Sequence, residues 1–105
     1  MKNELIIVKN IKEFIYSLDL IIDNYPRKYY ELRNNIVNTS YKLLELIFCS
    51  NYKKDYLDKI FSLISMLDFY LEISFKKKII NEKKLCNLSN KLLVINKMVY
   101  KWYES

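Results

Sequence analysis

The chain has 105 residues and a formal net charge of +6, and 51% of its residues are hydrophobic. This length predicts one domain, residues 1–105, with a real hydrophobic core, and this apolar content excludes a disordered tail. No run approaches the roughly 18 uninterrupted apolar residues of a membrane span, and the first residues do not resemble a secretory signal. We therefore expect a soluble, cytoplasmic protein with no membrane partner.

The first predicted helix covers about residues 4 to 24. Its apolar residues recur at alternating spacings of three and four and form the wide stripe typical of an amphipathic helix. The stretch NYPRKYY follows, and it holds the only proline of a chain that has no glycine. Pro26 disfavours α conformation at Tyr25, which predicts that the helix ends here in a hinge. We expect Tyr25, Tyr29 and Tyr30 to pack against the end of the fold.

The second predicted helix covers about residues 28 to 50. Ser40 lies within its apolar face, where a small side chain lets a neighbouring helix approach closely. The apolar pattern breaks in the stretch SNYKKD, and Ser50 or Asn51 is placed there to cap the next helix. The apolar face itself consists of Leu32, Ile36, Val37, Leu43, Leu44, Ile47 and Phe48.

The third predicted helix, residues 53 to 77, and the fourth, residues 82 to 103, each carry an apolar seam. Asn81 is placed to cap the fourth helix, with Ile80 before it as a hydrophobic staple. The third seam consists of Leu57, Ile60, Ile64, Leu67 and Leu71, with Phe61 and Phe75 beside it. The fourth seam has heptad spacing and consists of Leu85, Leu88, Leu92, Ile95, Val99 and Trp102.

Four helices joined by short connections favour antiparallel neighbours. The predicted fold class is therefore all-α, an up-down-up-down antiparallel four-helix bundle. Because Trp102 lies on the heptad seam, its side chain is expected to pack in the core or in a subunit interface.

The sequence carries no recognisable catalytic chemistry. It has no histidine, so the usual zinc sites lack ligands and the commonest general base is missing. It also has no phosphate-binding loop, nucleophile elbow or metalloprotease motif, so we predict no enzyme, no metal and no cofactor. The two cysteines, Cys49 and Cys86, fall in helical apolar patterns and are expected to be small core residues in a reducing compartment.

The positive charge is unevenly distributed along the chain. Residues 1–26 carry three basic and four acidic side chains, so the excess lies after the first hinge. In an up-down bundle the first and third hinges lie at one end, where seven cations would form a patch able to neutralise several phosphates. Against this, lysines also gather near helix ends because loops are solvated, and 16 of the 18 cations are lysine rather than arginine. The seven cations are Arg27, Lys28, Lys76, Lys77, Lys78, Lys83 and Lys84.

Several of these stretches resemble the accessory variability determinant (Avd) proteins of diversity-generating retroelements. NYPRKYY matches the proline-plus-basic turn between their first two helices, and ISMLDFYLEIS, residues 64–74, resembles their third helix. INEKKL resembles the start of their fourth helix, and YKWYES, residues 100–105, their closing tryptophan motif. The parallels run from about residue 11 to the end of the chain. The related four-helix proteins encoded in intervening sequences of ribosomal RNA genes share the fold, but the hinge and the tryptophan favour the retroelement family.

The resemblance implies a positively charged, ring-like homopentamer of four-helix bundles with no catalytic activity of its own. It also implies binding to the retroelement's reverse transcriptase and its template RNA, in support of mutagenic reverse transcription. By position, Arg27 and Lys28 match the basic hinge of the family, and Trp102 matches its C-terminal tryptophan.

Two features depart from the family's pattern. Asp68 and Glu72 stand where the third helix of the family often carries arginines, which argues against nucleic acid along this helix. Lys78 stands near the position where relatives often close that helix with glycine, so we expect the helix to end differently. The alternative hypothesis is a four-helix protein–protein interaction module with no nucleic-acid role, in which the lysines reflect composition alone.

Overall fold

Four long α-helices make up most of the fold. The structure is a computed structural model that describes residues 2–50 and 54–104, with side chains described over residues 6–50 and 55–104. Within these ranges the chain contains no β-strand, and a short 3-10 turn precedes both the second and the third helix. The helices are α1 Lys2–Ile22, α2 Tyr30–Ser50, α3 Leu57–Lys76 and α4 Glu82–Glu104, and the turns are Arg27–Tyr29 and Lys54–Tyr56.

The helices pack as a four-helix bundle, which confirms the predicted all-α class. Each helix contacts its neighbours in chain order, and α1 also contacts α4. The short hinges and a contact between helix ends show that neighbours run antiparallel. Arg33, near the start of α2, lies 3.6 Å from the carboxylate of Asp23, just after α1. Lys91 of α4 donates a hydrogen bond of 2.6 Å to the hydroxyl of Ser17 in α1.

Apolar side chains from all four helices meet in one core. The predicted stripes account for it, because a helix with apolar residues three and four apart buries one face. Trp102 is only 4% exposed and therefore lies in the core, where its ring meets that of Tyr103 edge-on at a centroid distance of 4.8 Å. Ser40 is also buried, which agrees with its predicted position in the apolar face of α2. The largest fully buried side chains include Phe14, Ile36, Leu43, Ile60, Leu67, Leu71, Leu88 and Leu92.

The first hinge is built around Pro26. The amides of Asn24 and Tyr25 donate to the carbonyls of Ile21 and Ile22, which closes α1 two residues before the predicted end at 24. Pro26 has φ −58° and ψ 147°, an extended conformation that turns the chain. Its carbonyl accepts the amide of Tyr29 at 2.9 Å, so a 3-10 turn forms and α2 begins only at Tyr30.

The second hinge differs from the expectation for Ser50. This residue is buried, and its hydroxyl donates to the carbonyl of Ile47 at 2.9 Å within its own helix. It therefore does not cap the next helix, and Tyr56, which precedes α3, also makes no side-chain capping bond. The physical reason is that a serine hydroxyl inside a helix readily bonds back to a carbonyl of the preceding turn. Asn51, the other predicted cap, lies outside the described residues.

The third hinge closes α3 with a Schellman motif. The amide of Ile79 donates to the carbonyl of Ser74, and the amide of Lys78 donates to that of Phe75, both at 2.9 Å. The third helix was expected to end differently from helices that close with glycine, but it ends in the same motif. Lys78 itself takes the left-handed conformation, with φ 63°, at the position where glycine is favoured.

The fourth helix begins as the sequence predicts. The side-chain oxygen of Asn81 accepts the backbone amide of Lys84 at 2.8 Å, which confirms Asn81 as the N-cap of α4. Ile80, before the cap, is buried. The hinge is therefore short and fixed at both ends, by the Schellman motif on one side and by the cap on the other.

The prediction of buried cysteines is wrong, because Cys49 and Cys86 are both exposed. Each lies two positions from a core residue, Cys49 after Ile47 and Cys86 before Leu88. Two positions on an α-helix correspond to a rotation of about 200°, so these side chains point to the opposite face. Phe48, which was placed on the apolar face of α2, is also exposed.

The strained position of Lys78 leads to a stability prediction. Lys78→Gly should raise the free energy of unfolding by roughly 0.5–1 kcal/mol, because glycine avoids the left-handed penalty of about 1–2 kcal/mol and loses only part of this gain in the unfolded chain. Lys78→Val should lower it by about 1 kcal/mol or more, because a β-branched residue tolerates positive φ poorly. Urea denaturation of the two variants measures the difference. Both remove the same charge, so equal stability of the two would contradict the proposed strain.

Candidate nucleic-acid interface

The first and third hinges lie at the same end of the bundle. The hydroxyl of Tyr25 donates to the Ser74 Oγ at 2.8 Å, and that oxygen in turn donates to the carbonyl of Tyr70 at 2.9 Å. Both side chains are buried, so every polar atom in this small network has a partner where an unpaired one would be costly. This contact joins the first hinge to the last turns of α3.

The basic segments of the two hinges meet around the ring of Tyr29. The Nζ atom of Lys28 lies 5.1 Å from the ring centroid, and the Nζ atom of Lys77 lies 5.3 Å from it. Each distance is within the range of a cation–π interaction, in which the negative face of the ring attracts the ammonium group. Tyr29 therefore holds together two cations that would otherwise repel each other.

All seven predicted cations are exposed, and the structure places them on the segments that form this end. Lys28 and Lys77 both contact the ring of Tyr29, and Lys76, Lys78 and Lys84 line one surface groove. Arg27 lies in the 3-10 turn beside Lys28. Lys83 lies in the first turn of α4, and no contact ties it to the others. We call Arg27, Lys28, Lys76, Lys77, Lys78, Lys83 and Lys84 the basic end.

Carboxylates reduce the charge of this end, among them Glu82, which lines the same surface groove as Lys76, Lys78 and Lys84. Glu72 lies 3.5 Å from the Nζ atom of Lys76, and Asp23 lies 3.6 Å from Arg33. These pairs are at least partly exposed, so each contributes little free energy and leaves the cation able to meet another anion. Among the side chains that the structure describes, the other six cations of the basic end have no carboxylate within 4.0 Å.

An open groove follows the third hinge, and we call it the third-hinge groove. Its volume is about 690 Å³. Phe75, 37% exposed, and the half-buried Ile79 supply its apolar surface. The Asn81 side chain there is engaged in capping α4. The lining consists of Phe75, Lys76, Lys78, Ile79, Ile80, Asn81, Glu82 and Lys84.

Several other side chains lie away from the basic end. Trp102 is in the core and does not reach the basic end. Lys91 is half-buried and engaged with Ser17. Asp68 lines a separate groove between the middles of α3 and α4, together with serine and asparagine side chains, so this face of α3 lacks a basic character.

Sequence reasoning missed two residues of the site. Tyr29 was expected only to pack against the end of the bundle; it is half-buried there, and it also contacts cations of both hinges. Phe75 was placed beside the core seam, but more than a third of its side chain is exposed in a lysine-lined groove. One signal was available for both: each aromatic residue directly adjoins a lysine in a hinge sequence, as KY and FK.

Within the described ranges, no group of three or more His, Cys, Asp or Glu side chains is arranged to hold a metal ion. No helix in the part of the chain that the structure describes is long and apolar enough to cross a membrane. Comparison with protein families, with curated proteins and with solved structures finds no match to this chain. The site must therefore be interpreted from its own chemistry.

The contact between Tyr25 and Ser74 should contribute measurably to stability. Tyr25→Phe should lower the free energy of unfolding by about 1–1.5 kcal/mol, because it removes one buried hydrogen bond. Burial also raises the pKa of Tyr25 above its ordinary value of 10.0, so the folded state retains the phenolic proton longer than the unfolded state does.

This linkage fixes the sign of the pH dependence. The contribution of Tyr25 is fully present below pH 10.0 and is lost as the pH rises above it. The stability difference between the native chain and Tyr25→Phe should therefore stay constant from neutral pH to about 9 and shrink at higher pH. Thermal or urea unfolding across this range measures it. Tyr30→Phe, which alters an exposed ring, is the matched control and should change neither quantity.

Proposed function

We propose that the protein is a non-enzymatic accessory protein that binds nucleic acid through the basic end. The observation that carries the proposal is the meeting of two hinge segments, distant in sequence, around Tyr29. Like charges held close together raise the local positive potential, and a polyanion relieves this repulsion when it binds.

The proposed mechanism is electrostatic. Lysine and arginine side chains neutralise phosphates and release the counterions condensed on the nucleic acid, so affinity falls as salt rises. Lysine acts as a mobile point charge, which suits contact with the backbone more than reading of bases. The protein would therefore position nucleic acid without strong sequence preference.

The resemblance to the retroelement accessory proteins gives this binding a cellular setting. We propose that the partner is a reverse transcriptase, that the nucleic acid is its template RNA, and that both meet the protein in the cytoplasm. In a homopentamer, each basic end would occur five times. Repetition converts weak single contacts into useful avidity when several engage one strand.

Charge reversal at the first hinge tests the proposal. Arg27→Glu combined with Lys28→Glu should weaken binding of a single-stranded RNA about tenfold or more at low salt. It should also reduce the slope of log affinity against log salt by about 1.4, which is two phosphate contacts on a single strand. Fluorescence anisotropy over a salt series measures both quantities.

The matched control reverses two exposed lysines on α1, with Lys9→Glu and Lys12→Glu. It changes the net charge equally, but these lysines lie about 15 Å or more from the end of α1 along the helix. The control should leave the salt slope unchanged. A native chain that binds no RNA even at low salt would refute the proposal, and equal losses in both variants would place the site elsewhere.

Exposed apolar residues on α1 favour a second function, protein–protein interaction. Leu20 is 81% exposed and Tyr16 is 63% exposed, and residues four apart share one face of a helix. This face is suited to a further copy of the chain or to a protein partner. It agrees with the interaction-module hypothesis, and equally with the ring that the resemblance implies.

Solution mass tests whether this face joins copies of the chain. We expect a mass several times the 12.8 kDa of one chain in multi-angle light scattering, reduced by Leu20→Glu. Leu93→Glu, which places a charge at another exposed leucine, is the control and should leave the mass unchanged. A native chain that stays monomeric at all concentrations would contradict the oligomer.

A further inference from the structure

We propose that the third-hinge groove accepts an unpaired nucleobase, which stacks on Phe75 while lysines at the rim hold the flanking phosphates. The basic end would then bind single-stranded nucleic acid in preference to a duplex. This inference rests on the proposed function, because it specifies which nucleic acid the same site takes.

Phe75 is the first element of the argument. The residue is 37% exposed although its side chain is large and apolar, and it borders an open groove rather than the core. Every base offers a π-face, so an exposed aromatic ring beside cations suits stacking without sequence preference. Tyr29 is less suited to this role, because the ammonium groups of Lys28 and Lys77 already stand over its ring.

The lysines at the rim are the second element. Lys76, Lys78 and Lys84 line the same groove as Phe75, and all three are exposed. A backbone that crosses the groove would meet cations beside the base that enters it. In a duplex the bases are paired and stacked within the helix, so a duplex offers phosphates to these lysines but no free π-face to Phe75.

The conformation of Lys78 is the third element. A left-handed lysine costs about 1–2 kcal/mol that glycine would avoid, yet the chain has a cation here at the rim of the groove. Backbone amides cannot replace that cation as anion donors. The amides of Lys77, Lys78 and Ile79 are all engaged with carbonyls of α3. On the α3 side of the groove, phosphates must therefore be held by side chains.

The test compares three probes of equal length: a polyuridine strand, an abasic strand with the same phosphates, and a duplex. The native chain should bind polyuridine more tightly than either of the other two. Phe75→Leu should weaken polyuridine binding about fivefold or more and leave abasic-strand and duplex binding unchanged, since leucine keeps the apolar contact and loses the ring. Phe69→Leu, at an exposed phenylalanine on α3 outside the groove, is the matched control and should change none of them.

The outcomes separate this inference from the proposed function. If the native chain binds all three probes equally, or if Phe75→Leu weakens all three equally, the base-accepting groove is refuted while nucleic-acid binding stands. If the native chain binds none of the probes, the proposed function itself fails. One further outcome would overturn the inference. If polyglutamate displaced bound polyuridine as effectively as unlabelled polyuridine does, the groove would be assigned to an acidic protein. The comparison of polyuridine with the abasic strand needs only the native chain, so it holds even if Phe75→Leu fails to fold.

Discussion

The hydrogen bond between Tyr25 and Ser74 fixes the arrangement on which the basic end depends. It joins residues 49 positions apart in sequence, one in the first hinge and one near the end of α3. Because Ser74 is fully buried, the bond forms only when the first hinge lies flat against the third helix. That position brings Tyr29 within reach of Lys77 as well as Lys28. A buried polar contact thus determines the geometry of an exposed charged surface.

The core makes this surface energetically tolerable. Each fully buried leucine or isoleucine contributes roughly 1.5–3 kcal/mol through removal of apolar area from water. Repulsion between two exposed lysines near each other is on the order of 1 kcal/mol and is screened by salt. The basic end lies on turns and terminal helical turns, so its repulsion does not disturb the seams of the helices. Stability and the proposed binding therefore depend on different parts of the same chain.

Hydrophobic periodicity was sufficient to predict the four helices and most of the core, because a period of 3.6 residues identifies the buried face. It failed at the edge of the stripe, where Cys49 and Phe48 follow core positions but are exposed. The lysine clusters were visible in the sequence, but the Tyr25–Ser74 contact was not, since no local pattern pairs residues so far apart. Lys78 shows a further limit: sequence propensity disfavours the left-handed position for lysine, and closure of the hinge overrides it.

The acidic residues of α3 determine which path across the surface a phosphate backbone could take. Asp68 lines the groove between the middles of α3 and α4 and has no cation within 4.0 Å among the described side chains, while Glu72, one turn nearer the hinge, is paired with Lys76. A phosphate backbone that ran along α3 would meet these carboxylates and be repelled. One that crossed the end of the bundle would meet the cations of the two hinges, Lys28, Lys77 and Lys78 among them. For the proposed nucleic-acid partner, Asp68 and Glu72 thus favour a path over the hinges, where Phe75 borders the third-hinge groove.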